Sequence, residues 1–186
     1  YSAGPEYNGY YKYWAHRDML AAASVIDKVE ARFAEVFGRK YTGMLESYRA
    51  GDADFVIVAL GSAAGLVRGV VEELRAAGKR VGMVRIRYMR PFPTEEIANA
   101  LMRARAVAVL EKDISFGAEG TVFTNVNSAL QRYGVTTPTF NFIGGLGGAD
   151  ISAAQVEEIF AAMQDCLDGF GELEPVNFIG IDEQGR

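Results

Sequence analysis

The chain has 186 residues, of which 49% are hydrophobic and 23% are charged, and its net charge is -5 at pH 7. This composition is ordinary for a globular protein, and the length is sufficient for one domain with a full core. The acidic balance gives no basic patch that could neutralise phosphates, so no nucleic acid partner is predicted. No apolar run approaches the roughly 20 residues of a bilayer span, so no membrane association is predicted either.

The first 17 residues read as an aromatic arm that contains five tyrosines and Trp14. They begin with Tyr1 and have neither the charged nor the apolar region of a signal peptide. We interpret the chain as a piece of a longer polypeptide. Aromatic surface of this kind usually lies against another surface, so Trp14 is predicted to contact the remainder of that polypeptide.

Helices and strands alternate along the rest of the chain. From Asp18 to Phe37, apolar residues recur at Ile26, Val29, Phe33 and Val36, which is the spacing of an amphipathic helix. Gly and Pro residues and polar turns then separate short apolar runs from further helical segments. The predicted elements are a weak strand at 44–48, strands at 55–60, 81–86, 106–110 and 139–143, and helices at 63–77, 94–102, 121–133 and 152–167.

This order predicts a three-layer α/β/α domain with a doubly wound, mostly parallel sheet of about five strands. The domain is predicted to occupy residues 18–167. Residues 1–17 would be the arm from the preceding part of the parent chain, and residues 168–186 a tail without regular structure.

Few residues in this sequence offer metal or nucleophilic chemistry. Cys166 is the only cysteine and His16 the only histidine, which excludes an intramolecular disulfide and a thiolate cluster site within this chain. Gly51–Asp52 resembles the start of a G-D-G motif, but Ala53 replaces the second glycine. We therefore predict no metal or cofactor ligand here, and the cytoplasm as the location.

Two glycine-rich turns follow predicted strands. Gly61, Ser62 and Gly65 lie at a helix N-terminus, which could hold an anion or could be only a tight turn with a serine cap. No Walker lysine and no G-x-G-x-x-G spacing accompany them. In Gly144–Gly148 the third glycine of a dinucleotide motif is replaced by Asp150, so a packing turn with Asp150 or Ser152 as the helix cap is favoured.

Three arginines lie near the end of the second strong strand, at Arg85, Arg87 and Arg90. Ligands and partners of open α/β sheets bind outside the carboxyl ends of the strands. Arg87 and Arg90 could therefore face a partner domain or an anion, or could form a solvated edge. In the following loop, Pro91 and Pro93 restrict the backbone and Phe92 could serve as an apolar anchor.

Several segments in this order resemble the C-terminal domain of transketolase-like thiamine enzymes, and most closely the α subunit of pyruvate:ferredoxin oxidoreductases and their 2-oxoacid relatives. The segments are Ala59–Ser62, Arg85–Pro93, Ala108–Glu111 and Phe142–Ser152. The resemblance implies that the strand near Met44 is an antiparallel edge strand. It also implies a parent complex with thiamine diphosphate, magnesium and iron-sulfur clusters, which oxidises a 2-oxoacid, forms acyl-coenzyme A and reduces ferredoxin.

No position matches the catalytic or cofactor motifs of that family, so this chain is expected to be a non-catalytic second domain that supports assembly with other domains and subunits. Two alternatives remain open at this point. The chain could be a free-standing nucleotide-binding domain with an anion at Gly61–Gly65, or a general interaction module. The sequence does not distinguish pyruvate from 2-oxoglutarate or a branched-chain oxoacid as the substrate.

Overall fold

The computed structural model describes residues 4–41 and 43–181. They form two compact units, one made of the residues up to Met44 together with Tyr88–Pro93, and one made of Leu45–Arg87 together with the residues from Thr94 onward. Among the described helices, none combines the length and the apolar character that a membrane crossing requires.

The first unit contains one long helix, α1 (Pro5–Phe37). Its 33 residues correspond to about 50 Å at 1.5 Å per residue. The prediction that the helix begins near Asp18 is wrong, because residues 5–17 of the aromatic arm are helical. Tyr, Asn and Gly are weak helix formers, which hid this start, whereas Pro5 at the first helical position is a favourable start signal. Gly38 ends the helix in the left-handed conformation, at φ 67°.

No residue of α1 is fully buried. Ile26 and Phe33 are half-buried, whereas Val29 and Val36 of the predicted apolar stripe are exposed. The Phe33 ring lies 4.5 Å from Phe37 and 5.6 Å from Tyr41, measured between centroids. A large part of the apolar surface of α1 therefore remains open.

Glu30 of α1 connects the helix to two other segments of the first unit. One carboxylate oxygen accepts the Gly43 amide at 2.9 Å, and the other accepts the Tyr88 hydroxyl at 3.3 Å. The loop Tyr88–Pro93 is thereby attached to α1 by a side-chain hydrogen bond that spans 58 residues of sequence.

The second unit is a six-stranded sheet with helices between its strands. The sheet order is β1-β3-β2-β4-β5-β6, with β1 antiparallel to β3 and all other neighbours parallel. The elements are β1 (Leu45–Tyr48), β2 (Phe55–Leu60), α2 (Gly61–Ala76), β3 (Val81–Ile86), α3 (Thr94–Leu101), β4 (Ala106–Glu111), α4 (Thr121–Arg132), β5 (Thr139–Ile143), a short 3-10 turn Leu146–Gly148, α5 (Ala153–Asp168) and β6 (Val176–Phe178).

Strand β2 is apolar throughout, and β3 and β4 have only one charged residue each, Arg85 and Glu111, because helices cover both faces of the sheet. Helices α2 and α5 pack together on one face, where Ile57 and Met83 join the same core as Val67 and Ile159. Helices α3 and α4 pack together on the other face. Since side chains alternate along a strand, the neighbours of Ile57 point to that second face. The predicted α/β/α fold, with an antiparallel edge strand, is confirmed.

Strand β6 was not predicted. The sequence predicts no regular structure beyond Leu167, and this prediction is wrong, because Val176–Phe178 pair with Asn141–Ile143 as a sixth, parallel strand. Asn177 fixes this edge by donating its amide to the backbone oxygen of Asn141 at 3.1 Å. A strand of three residues with one polar member has too short a pattern to be recognised from periodicity.

Candidate functional site

The parallel strands have a switch point between β2 and β4. From β2 the chain runs through α2 to β3 on one side, and then through α3 to β4 on the other side of β2. In open α/β sheets, this arrangement leaves a crevice outside the carboxyl ends of the two strands. A cleft of about 300 Å³ lies there, lined by Leu60, Gly61, Ser62, Ala63, Leu110, Glu111, Lys112, Asp113 and Val122.

The structure places two of the three predicted anion-site residues in this cleft. Gly61 and Ser62 line it, whereas Gly65 lies one turn further along α2 and does not. Gly61 adopts φ +54°, and no side-chain cap is present at this end of α2. The first amides of α2 are therefore not capped by a side chain at the N-cap position, and anion binding at Gly61 and Ser62 stays a prediction.

Glu111, which was not among the predicted site residues, lies at the end of β4 and is only 4% exposed. Its carboxylate accepts the backbone amides of Val122 at 2.7 Å and Phe123 at 3.1 Å, and the side-chain amide of Asn141 at 2.9 Å. Burial raises the pKa of Glu111, while these three hydrogen bonds act in the opposite direction. The carboxylate thus serves as the N-terminal cap that α4 lacks in its own sequence.

Asn141 and Gly120 complete this buried network. The Asn141 side-chain oxygen accepts the Gly120 amide at 2.8 Å. Gly120 packs so closely that a Cβ atom there would lie 2.0 Å from the Glu111 carboxylate. Since every polar atom of Glu111 and Asn141 has a partner, the network holds α4 in place and leaves Glu111 no role as an open general base. The signal in the sequence was a glutamate that closes an apolar strand, with a glycine just before the next helix.

A larger cavity of about 640 Å³ lies at the opposite, amino edge of the sheet, next to Phe55 and Val81 and below α5. Two of its cations have acidic partners. Arg80 pairs with Asp54 at 3.1 Å, and Arg105 lies 3.7 Å from Asp168. No sequence motif pointed to this edge, and none of its described contacts identifies a ligand.

The three arginines near the end of β3 have different environments in the structure. The Arg85 guanidinium lies 3.7 Å from the carboxylate of Glu46 on the edge strand β1 and forms an ion pair with it. Arg87 ends its segment of the second unit, and Arg90 belongs to the first unit. The Arg90 side chain is exposed and donates to the backbone oxygen of Met89 at 2.6 Å.

The rest of the predicted interface lies in the first unit. Pro91, which follows a cis peptide bond, and Pro93 are buried, while Phe92 is half-buried. Trp14 is 47% exposed and makes edge contacts with Tyr10 and Tyr13. Trp14 is thus more exposed than the three residues of the loop, and the role of this group at an interface stays a prediction.

Asp52 has a structural partner. Its two carboxylate oxygens accept from Arg75 at 2.8 and 2.9 Å, and this contact holds the pKa of Asp52 below its ordinary value. Arg75 also donates to the backbone oxygens of Arg49 and Val81. Gly51–Asp52 is therefore part of a turn that is fixed by arginine. Within the described residues, no three potential metal ligands lie together.

The sheet order and the helix layers define a transketolase-like α/β domain. A solved split-gene transketolase, described as an inactive β4 tetramer, superposes on 70% of this chain and 43% of its own chain with a TM-score of 0.52. The two sequences are 17% identical, so this likeness concerns the fold alone.

Residues 53–156 match the family described as pyruvate:ferredoxin oxidoreductase core domain II, and the chain belongs to that family. The pyruvate synthase subunit PorA of Methanothermobacter thermautotrophicus is 41% identical over 182 residues, which are 98% of this chain and 45% of the relative. The ketoisovalerate oxidoreductase subunit VorA of Pyrococcus abyssi is 38% identical over 88% of this chain and 41% of its own length. The chain therefore spans less than half the length of these relatives.

Proposed function

We propose that this chain is the non-catalytic second domain of the α subunit of a 2-oxoacid:ferredoxin oxidoreductase. The family match carries this proposal, because residues 53–156 include β2 through β5 and the switch-point cleft. The two relatives named above are subunits for pyruvate and for ketoisovalerate, which supports a 2-oxoacid as the substrate class. Pyruvate is the favoured member, since the relative of higher identity is a pyruvate synthase subunit.

The proposed reaction of the whole enzyme is oxidative decarboxylation of the oxoacid to acyl-coenzyme A, with ferredoxin as the electron acceptor and thiamine diphosphate, magnesium and iron-sulfur clusters as cofactors. Among the described residues, none forms a group that fits these cofactors. A cluster needs several thiolates and the chain has only Cys166. At the switch-point cleft, the Glu111 carboxylate is already bound by three amide groups and Asp113 accepts the Thr121 hydroxyl.

The role proposed for this domain is therefore architectural. Its surface offers apolar groups that water solvates poorly, with Trp14 and the tyrosines of α1 among them. Arg90 adds an exposed planar donor that suits a carboxylate on a facing surface. We assign Arg87, Arg90, Pro91, Phe92 and Trp14 to contacts with other domains or subunits of the parent enzyme.

The test uses the complete subunit, expressed with the other subunits encoded beside it. The assembled enzyme should reduce ferredoxin with a 2-oxoacid only when coenzyme A is present, and the purified 186-residue chain alone should have no such activity. Pyruvate, 2-oxoglutarate and 2-oxoisovalerate should be compared as substrates. Turnover by the chain alone would contradict a non-catalytic role, and an assembled enzyme that oxidises none of the three oxoacids would contradict the proposed reaction.

A further inference from the structure

The loop between β4 and α4 projects an aromatic side chain into solvent. Phe116 is 96% exposed, the largest fraction for any large apolar residue among the described part of the chain. The loop follows β4, so it leaves the carboxyl edge of the sheet, and its first residues Lys112 and Asp113 line the switch-point cleft. A contact that covered this ring would remove the whole of its apolar area from water, which is favourable.

This loop is held rigidly. At its ends, the buried Glu111 carboxylate binds the first amides of α4, and the Thr121 hydroxyl donates to Asp113 at 2.5 Å. Within it, the Ser115 amide donates to the Glu119 oxygen at 3.2 Å, and the Ala118 amide donates to the Ser115 oxygen at 2.8 Å. Docking of a loop that is already ordered loses little conformational entropy.

The chemistry of the tip favours a protein surface. Residues 114–118 carry no charged side chain, so the tip has no cation to pair with a phosphate or another anion. A rigid aromatic ring on an uncharged turn fits an apolar socket with a neutral rim, as the central anchors of protein interfaces do.

We propose that Phe116 anchors this domain in an apolar socket on the remainder of its own subunit. This inference rests on the proposed function, under which the chain is one domain of a longer subunit. The PorA relative supports it, because the chain covers 45% of that subunit and more than half of its length is left to supply the socket. A socket on the same polypeptide also has a high effective concentration, so one well-placed anchor can keep it filled.

The first test is hydroxyl-radical footprinting of the full-length subunit, purified without its partner subunits. Phe170, which is 86% exposed after α5, is the reference phenylalanine on this chain. Each oxidation rate is divided by the rate of the same residue in the subunit unfolded in urea. Phe116 should be protected by about tenfold, because a docked anchor is fully desolvated.

An unprotected Phe116 in the folded subunit would overturn the proposal. Protection that appears only after the partner subunits are added would also overturn it, since the socket would then belong to another subunit.

The second test compares Phe116→Ala with Phe170→Ala in the same full-length subunit. Phe116→Ala should raise the rate of limited proteolysis between this domain and the rest of the subunit by about tenfold, which is the size of effect expected from the loss of one anchor. Phe116→Leu should restore part of the resistance, and Phe170→Ala should leave it unchanged.

Equal proteolysis of wild type and Phe116→Ala would overturn the anchor. Neither readout uses 2-oxoacid turnover, so a failure of the proposed reaction and a failure of the anchor are distinguishable.

Discussion

At the scale of single residues, the N-terminus of α4 has no capping side chain of its own. Its first backbone amides are instead bound by a side chain that is distant in sequence. Glu111 is eleven residues before Val122 in sequence, and Asn141 is thirty residues after Glu111. Gly120 is required between them for steric reasons, since its φ of -68° is open to any residue. The network therefore depends on the absence of a side chain as much as on the two that are present.

Gly120→Ala should destabilise the chain by roughly 1 to 3 kcal/mol, because its Cβ would overlap the Glu111 carboxylate and force that side chain away from the α4 amides. Urea unfolding measures the difference. Gly69→Ala is the matched control, since Gly69 is exposed within α2 and a Cβ there meets nothing within 4 Å. The control should gain roughly 0.5 to 1 kcal/mol through the better helix propensity of alanine. If the two variants are equally stable, Glu111 does not occupy the position described.

At the scale of elements, the strands buried on both faces set the stability of the second unit. Val58, Val84 and Val109 belong to three neighbouring strands, and none of them has any exposed surface. A charged side chain at such a position would have no partner, and the cost would be comparable to the whole stability of a domain.

Val84→Asp should unfold the second unit, because burying an unpaired carboxylate costs several kcal/mol against a total stability of roughly 5 to 15 kcal/mol. Circular dichroism and thermal melting of the chain measure the loss. Val29→Asp makes the same chemical change on α1, where Val29 is 60% exposed, and should alter stability by less than about 0.5 kcal/mol. An unchanged melting temperature for Val84→Asp would place Val84 on the surface and contradict the strand assignment.

The elements that the sequence predicted well are those with a strong local pattern. The strands 55–60, 81–86 and 139–143 agree in both bounds, because continuous apolar runs between glycine, proline and polar turns have few alternatives. The cap of α5 is also confirmed, with Ser152 and Gln155 forming a capping box.

Elements whose cause is distant in sequence were missed. Strand β6 exists through pairing with β5, and the role of Glu111 depends on Asn141 and on α4. Part of the candidate site could be predicted from the sequence, since Gly61 and Ser62 do line the cleft. The residues on the opposite wall of that cleft could be predicted only with knowledge of the strand order, and the sequence pattern does not contain that order.

At the scale of the whole molecule, the chain has the composition of a globular domain, but several of its large aromatic side chains are exposed. Phe116 and several aromatic residues of α1 are exposed to water, although 38 apolar side chains among the described residues are buried. Isolated apolar residues are normal on a surface, whereas repeated exposure of large aromatic side chains indicates contacts with other protein. This agrees with relatives that are more than twice as long as the matched segment.

The double substitution Arg90→Ala and Phe92→Ala tests the predicted interface after β3 in the assembled parent enzyme. It should leave this domain folded and weaken assembly by at least about tenfold, because an aromatic anchor and a charged donor are both lost from a loop that two prolines restrict. Subunit affinity is measured by analytical ultracentrifugation over a concentration series, and folding by circular dichroism. The matched control is Met102→Ala with Arg103→Ala, which removes an exposed apolar residue and an exposed arginine at the end of α3 and should leave affinity unchanged. Wild-type affinity and turnover in the Arg90 and Phe92 double variant would make the loop a surface turn and move the interface elsewhere.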